Sequence, residues 1–214
     1  MRRIENFIEG DIYHVFNKSI SNYGIFNDLN NSQRFLNTFH YYNNTSVTMC
    51  FSDFTKRKVY EYKNVIYQYK NTYCKVLSYC IMPDHYHFLL KLLKSNKLSK
   101  LIGNIENSYT RYFNTKFNRR GPLWQNCFKV VKIRFGDQLL RVSRYIHLNP
   151  VVKHLANKPD DWIFSSYKDY ITNRTLLENI SDISIKSTTD YAKYVEDYTN
   201  YLKELKDIKK LTLD

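Results

Sequence analysis

Two histidines separated by one aromatic residue lie within the apolar run Tyr79-Cys80-Ile81-Met82-Pro83-Asp84-His85-Tyr86-His87-Phe88-Leu89-Leu90. In a strand, successive side chains point to opposite faces, so His85 and His87 project one way while Tyr86, Phe88 and Leu90 project the other. Two imidazoles on one face can share a divalent ion. Such a pair needs only one or two more polar groups to complete a site that keeps positions open for phosphate. A His-x-His pair by itself more often marks two satisfied, partly buried side chains, so its context decides between the two readings.

That context lies downstream. On a helix running from Asp137 through Leu148, Arg141, Tyr145 and Asn149 are spaced by four and share one face. A tyrosine attacks a phosphodiester through its phenolate, but with an unperturbed pKa of about 10 it needs a cation or a metal-polarised phosphate beside it. His85 and His87 could hold that metal, Asn149 could supply a third ligand oxygen, and Arg141 and Arg144 could steady a phosphate backbone. The alternative for Tyr145, one of 20 tyrosines, is an ordinary core ring. His147 competes as ligand or general base, but it points away from Tyr145 and Asn149 around the helix.

The positioning elements follow from pattern. Residues 11–19 read as a first strand. Asn22-Tyr23-Gly24 turns the chain, and a helix follows from Asp28 to Tyr42, capped by Asp28 or Asn31. Segment 51–71 has helical spacing at Val59, Tyr62, Val65, Ile66 and Tyr69 and is read as helix, although its β-branched and tyrosine content would suit a strand. A second strand begins in Thr72–Ser78, breaks at Met82-Pro83-Asp84, and the histidine strand ends near Lys94. An amphipathic helix covers Ser99–Phe117, and a loop from Leu123 runs into a strand ending at Ile133. In the helix that follows, Asp137 is placed as N-cap and Asn149-Pro150 as terminator. Ser165–Tyr170 closes the body, and a tail helix is expected from about Thr189 to Lys209. One sheet packed against helices, an α+β class, is the architecture these elements imply.

Net charge is +13, and residues 171–214 carry seven Lys/Arg against eight Asp/Glu, so the basic excess belongs to the body. Arg111, Lys116, Arg119, Arg120, Lys129, Lys132, Arg134, Arg141 and Arg144 are concentrated in one stretch with a single acid, Asp137, a balance that attracts a polyanion such as nucleic acid. Aromatic residues make up 16% of the chain, enough both to build a core and to stack on unpaired bases. Cys50, Cys74, Cys80 and Cys127 have no C-x-x-C spacing, so they read as reduced and mostly packed rather than as a zinc ribbon or disulfide framework. No apolar run approaches a membrane span, and the opening residues lack a signal-peptide core, so a cytoplasmic location is the expectation. With five glycines, none in a phosphate-loop pattern, a P-loop is not expected.

Five blocks in order carry a resemblance: Met82–Leu90, Ser108–Asn114, Gly121–Gln125 with Phe128-Lys129, Ser143–Pro150, and Trp162–Tyr167. Together they resemble the single-tyrosine HUH transposases, the REP-associated tyrosine transposase (RAYT) branch in particular, over about Tyr13 to Tyr170. The resemblance implies a ferredoxin-like antiparallel sheet with the HUH motif on a central strand, as His85 and His87, and a catalytic Tyr145 on a following helix. It implies Asn149 as the residue that completes the metal site, for Mg²⁺ or Mn²⁺. It further implies cleavage and rejoining of single-stranded DNA at hairpin or repeat ends through a 5′-phosphotyrosine link. The expected organisation is a catalytic domain over residues 1–170 and a helical tail over 171–214, with a monomer favoured over the dimers of small insertion-sequence relatives. Two other classes remain open: a domesticated single-stranded nucleic-acid-binding protein without cleavage, and a metal-dependent phosphodiesterase using water.

Overall fold

The computed structural model describes residues 6–57, 71–134, 136–172, 187–197 and 199. Strand β1 (Ile12–Lys18) leads through a short 3₁₀ turn at Ile20–Asn22 to helix α1 (Leu29–Asn43). Of the two anticipated caps, Asp28 is the one used: its carboxylate accepts the Asn30 N–H at 2.8 Å. Asn31 is instead buried, and its amide donates to the Ile25 carbonyl. After the six-residue helix α2 (Phe51–Lys56) come β2 (Cys74–Ile81), β3 (His85–Leu92), α3 (Leu98–Lys116) and β4 (Lys129–Ile133). Helix α4 (Gly136–Val152), helix α5 (Tyr167–Ile171) and a helical stretch over residues 188–197, α6, complete the series.

The strands form one four-stranded sheet in the order β2-β3-β1-β4. Its ladder is antiparallel, because residue numbers rise along one strand as they fall along its neighbour. The Ser19 N–H donates to Asp84 O at 2.8 Å and the Leu92 N–H to Asp11 O at 2.9 Å; the Gln125 N–H reaches Lys18 O and the Leu93 N–H reaches Tyr73 O. With helical connections between β1 and β2 and between β3 and β4, this strand order is the ferredoxin-like split arrangement, and β3 is an interior strand. The expected α+β, ferredoxin-like sheet with the histidines on a central strand is what the chain adopts.

Contacts divide the described residues into two compact units. One lies within Met1–Lys75, Pro83–His85 and Leu90–Lys132, the other within Val76–Met82, Tyr86–Leu89 and Ile133–Asp214. In the first, α1 packs on α3 through an aromatic core. The Phe26, Phe35 and Tyr109 rings lie 4.9–5.2 Å apart, Trp124 stands 5.9 Å from Phe35, and the buried Tyr109 hydroxyl donates to Ile25 O at 2.8 Å. Much of the aromatic excess is therefore core. Where β2 begins, the Asn43 side chain imitates a neighbouring strand: its amide donates to Cys74 O at 2.8 Å and accepts the Cys74 N–H at 3.0 Å.

In the second unit, residues 162–166 run along β2. The Ile81 N–H donates to Phe164 O and the Ser166 N–H to Tyr79 O, while the Trp162 indole donates to Ile81 O at 2.9 Å. The Tyr170 hydroxyl donates to Leu77 O. This is the closure anticipated at Ser165–Tyr170, and it covers a strand edge that would otherwise present unpaired backbone groups.

Several boundaries differ from the sequence reading. Helix α4 starts at Gly136, so Asp137 is its second residue rather than its cap, and Pro150 lies inside the helix, which continues to Val152. The proline forfeits its own N–H bond to Ile146 O, but the chain closes around it, with the Leu155 N–H donating to Pro150 O at 2.9 Å. The Lys153 N–H still reaches Asn149 O at 3.1 Å, and His154, at φ +57°, ends the run in the left-handed region. Strand β3 stops at Leu92 rather than near Lys94. Within segment 51–71, residues 51–56 are helical, as expected there; residues 58–70 lie outside the described residues, as does the expected tail helix beyond 199. All four cysteines are free, but Cys50 and Cys127 are exposed and only Cys74 and Cys80 are packed. No helix among the described residues is long and apolar enough to cross a membrane.

Candidate active site

His85 opens β3 directly after the loop Met82-Pro83-Asp84. Its Nδ1 lies 2.5 Å from Asp84 Oδ1, and the Lys18 ammonium sits 3.2 Å from the other carboxylate oxygen. Burial pushes the Asp84 pKa up, but the hydrogen bonds and charges of His85 and Lys18 outweigh it and hold the carboxyl below its usual value. An ionised carboxylate only accepts, so Nδ1 of His85 is the donor, and in the neutral ring the lone pair is then on Nε2. A carboxylate fixing the tautomer of an imidazole in this way is the usual setting of a metal-binding histidine. Sequence reading had taken Asp84 only as part of a strand break; its position immediately before the first histidine was the available signal.

Two residues along the same strand, and so on the same face, His87 is 5% exposed. Its ring meets the ring of Tyr145 edge to face, with centroids 5.5 Å apart and planes at 80°. Tyr145 itself is 49% exposed although the next five residues along α4 are all buried, so this ring is not the core ring that was its alternative. One turn on, Asn149 is 4% exposed and its Nδ2 has no hydrogen-bond partner among the described residues. A buried N–H donor with unmet bonding capacity is costly unless an acceptor, such as a phosphate oxygen, binds there.

The side-chain types of His85, His87 and Asn149 are ones that take a divalent cation. Two imidazoles and an amide oxygen make a borderline donor set that leaves coordination positions for phosphate oxygen and water. No cluster of three His, Cys, Asp or Glu side chains among the described residues offers a self-sufficient metal cage.

His147 occupies the other side of α4 and is fully buried. Its Nδ1 is 2.7 Å from the Tyr191 hydroxyl and its Nε2 is 2.8 Å from Ser166 Oγ. Donor and acceptor roles close consistently for a neutral ring. The Tyr79 N–H donates to Ser166 Oγ, whose proton goes to Nε2; Nδ1–H donates to Tyr191, whose proton goes to Ser143 Oγ, and Ser143 donates to Leu140 O. Burial pushes the His147 pKa down to about 3, in keeping with that assignment. His147 is a structural residue.

The nine basic residues divide by what they touch. Lys116 pairs with Asp28 at 2.8 Å, Lys132 with Asp11 at 2.6 Å, and Arg119 donates to Asn114 and to the carbonyls of Gly121 and Pro122. Lys129 stands over the Phe16 ring, and Arg144 lies 3.7 Å from the Tyr194 ring centroid. Arg111, Arg120, Arg134 and Arg141 are exposed. Arg111 borders a cleft of about 270 Å³ lined by Tyr42, Cys50, Ser52, Asn104, Asn107 and Ser108.

The family model described as "Transposase IS200 like" matches residues 41–149, just over half of the chain, a span that contains His85, His87, Tyr145 and Asn149. Among solved structures, a REP-associated tyrosine transposase bound to a REP hairpin aligns with a TM-score of 0.59 at 15% identity, covering 88% of this chain and 96% of that one. A putative transposase from Deinococcus radiodurans aligns at TM-score 0.38 and 13% identity, covering 68% of this chain and 95% of that one. No curated protein matches. The fold agrees with the first of these structures and the family model spans most of the site, so the chain belongs to the IS200-like transposase family.

Proposed function

We propose that this transposase cuts and rejoins single-stranded DNA at hairpin or repeat ends, with Tyr145 as nucleophile. The observation that carries the reading is the edge contact between the exposed Tyr145 ring and His87, with Asn149 one turn away on the same helix. The Tyr145 oxygen attacks the scissile phosphorus, the P–O3′ bond breaks, and the departing strand leaves with a 3′-hydroxyl while the 5′-phosphate stays on the tyrosine. A DNA 3′-hydroxyl reverses the step, so the bond energy is conserved and no nucleotide triphosphate is consumed. A divalent ion, Mg²⁺ or Mn²⁺, held by His85, His87 and Asn149 would polarise the scissile phosphate. Asp84 orients His85, and the exposed Arg111, Arg120, Arg134 and Arg141 offer charge for the DNA backbone.

Tyr145 meets a histidine of its own chain, which supports a site completed within one chain and a monomeric enzyme. The hairpin bound by the structural neighbour supports a hairpin as this chain's DNA partner.

The test is a denaturing gel with a single-stranded hairpin from DNA flanking the gene, with Mn²⁺ or Mg²⁺. The expected result is a denaturation-resistant protein–DNA adduct that requires metal and is absent from Tyr145→Phe and His85→Ala. Cleavage that persists in Tyr145→Phe would mean a water nucleophile. Binding without an adduct on two different hairpins would mean a binding protein.

A further inference from the structure

Helix α4 presents Tyr145 and Asn149 on one side. The residues around Tyr145 that face elsewhere, Ser143, Arg144 and His147, all bond or stack with helix α6 of the tail. The Tyr191 hydroxyl donates to Ser143 Oγ at 3.1 Å and receives Nδ1–H of His147 at 2.7 Å, while its fully buried ring stacks with Tyr170 at 4.9 Å. The Arg144 guanidinium lies 3.7 Å from the Tyr194 ring centroid and donates to Tyr194 O at 3.3 Å. On the far side, His147 is tied through Ser166 to Tyr79 of strand β2.

We infer that Tyr191, with Tyr194 beside it, is a positioning residue for the reaction: α6 fixes the roll of α4 and thereby the direction in which Tyr145 points. At 100° per residue, Ser143 and His147 lie roughly 160° around the helix from Tyr145, so the grip is on the opposite face and leaves the nucleophile accessible. The leverage is large. A roll of about 20° moves a tyrosine hydroxyl, roughly 9 Å from the helix axis, by about 3 Å, whereas a misplacement of about 1 Å can cost on the order of 100-fold in rate. The tail, which carries no recognisable motif, thus acts on the chemistry without touching it. The inference rests on Tyr145 being the nucleophile.

The experiment compares full-length parent, Tyr191→Phe and Tyr194→Ala, with Tyr145→Phe as reference, in two readouts. The first is backbone amide exchange across residues 141–149, which needs no activity. The second is a single-turnover time course of adduct formation on a hairpin with Mn²⁺, analysed for rate constant and amplitude, beside the hairpin Kd. Tyr191→Phe is expected to speed exchange across α4 about tenfold or more and to lower the adduct rate constant by about 100-fold, with unchanged amplitude and a Kd within about twofold. Tyr194→Ala, which keeps the buried hydroxyl network, should show the same pattern at about tenfold, and it carries the test if Tyr191→Phe does not fold. Reduced amplitude at an unchanged rate constant would make α6 merely structural and overturn the inference, as would unchanged exchange across α4. If Tyr145→Phe still forms adduct, the nucleophile assignment fails, while amide exchange still decides whether α6 holds α4.

Discussion

Helix α4 carries two histidine–tyrosine pairs on opposite sides, and they are built in opposite ways. On one side Tyr145 comes from the helix and His87 from β3; the rings touch at 5.5 Å, and the tyrosine stays 49% exposed. On the other side His147 comes from the helix and Tyr191 from α6; both are fully buried and every polar atom of the pair has a partner. The residue types are the same, but a saturated network in a low-dielectric interior has nothing left to offer a substrate, whereas an exposed phenol beside a strand histidine does. Satisfaction and exposure, rather than residue type, separate the candidate site from the core.

The sharpest break between the pairs is chemical. Tyr145→Phe should abolish the metal-dependent adduct altogether, and because the ring is exposed it should change unfolding free energy by no more than about 0.5 kcal/mol, measured by urea titration. The mirror substitution, His147→Ala, should cost about 3 kcal/mol in the same titration, since it opens a cavity and leaves the Tyr191 and Ser166 hydroxyls unpaired in the interior. A large stability loss in the first variant and none in the second would reverse the assignment of the two pairs.

Acid sharpens the contrast further. His147 has its pKa held down to about 3 by burial, and His14 to about 4 for the same reason. Below the unfolded value of about 6.5 the unfolded chain takes up protons that these buried rings refuse, so stability is complete above about pH 6.5 and falls as pH drops toward the folded values. At pH 5 the loss should be up to about 2 kcal/mol for each ring. His147→Gln should therefore show a visibly shallower decline than the parent between pH 7 and 5. An identical decline would mean that His147 does not titrate in the unfolded chain as assumed.

Much of this was legible in the sequence because period decides so much locally. The alternation around His85 and His87 gave a strand face, the four-residue steps of Tyr145 and Asn149 gave a helix face, and the spacing of apolar positions over 29–42 left the cap to Asp28 or Asn31, of which Asp28 is used. What stayed hidden depends on long-range partners. Nothing local distinguishes a proline that ends a helix from Pro150, after which α4 continues to Val152. Nor does spacing tell that Lys116, Lys132 and Arg119, all in a basic stretch, are occupied by Asp28, Asp11 and Asn114. Tyr191 was unreadable for the same reason: a lone tyrosine in an acid-balanced tail acquires meaning only once His147 and Ser143 are seen beside it.

The smallest effect tests how the accessible side of the comparison is tuned. His85 has its Nδ1 held by a charged acceptor, Asp84, while His147 has its Nδ1 held by a neutral phenol. A carboxylate raises the basicity of the opposite nitrogen and fixes the tautomer that presents it; a phenol that itself donates onward does the second far more than the first. Asp84→Asn keeps the shape and an oxygen acceptor but removes the charge, and Lys18, 3.2 Å from that carboxylate, loses its ion-pair partner at the surface. Titration calorimetry with Mn²⁺ should then find binding weakened about tenfold, roughly 1.4 kcal/mol, with unfolding free energy changed by less than about 1 kcal/mol. Asp84→Ala, which leaves Nδ1 without its acceptor, should weaken Mn²⁺ binding further. Equal affinities in the parent and both variants would mean that Asp84 serves only the loop between β2 and β3, and that the two histidine–tyrosine pairs differ in exposure alone.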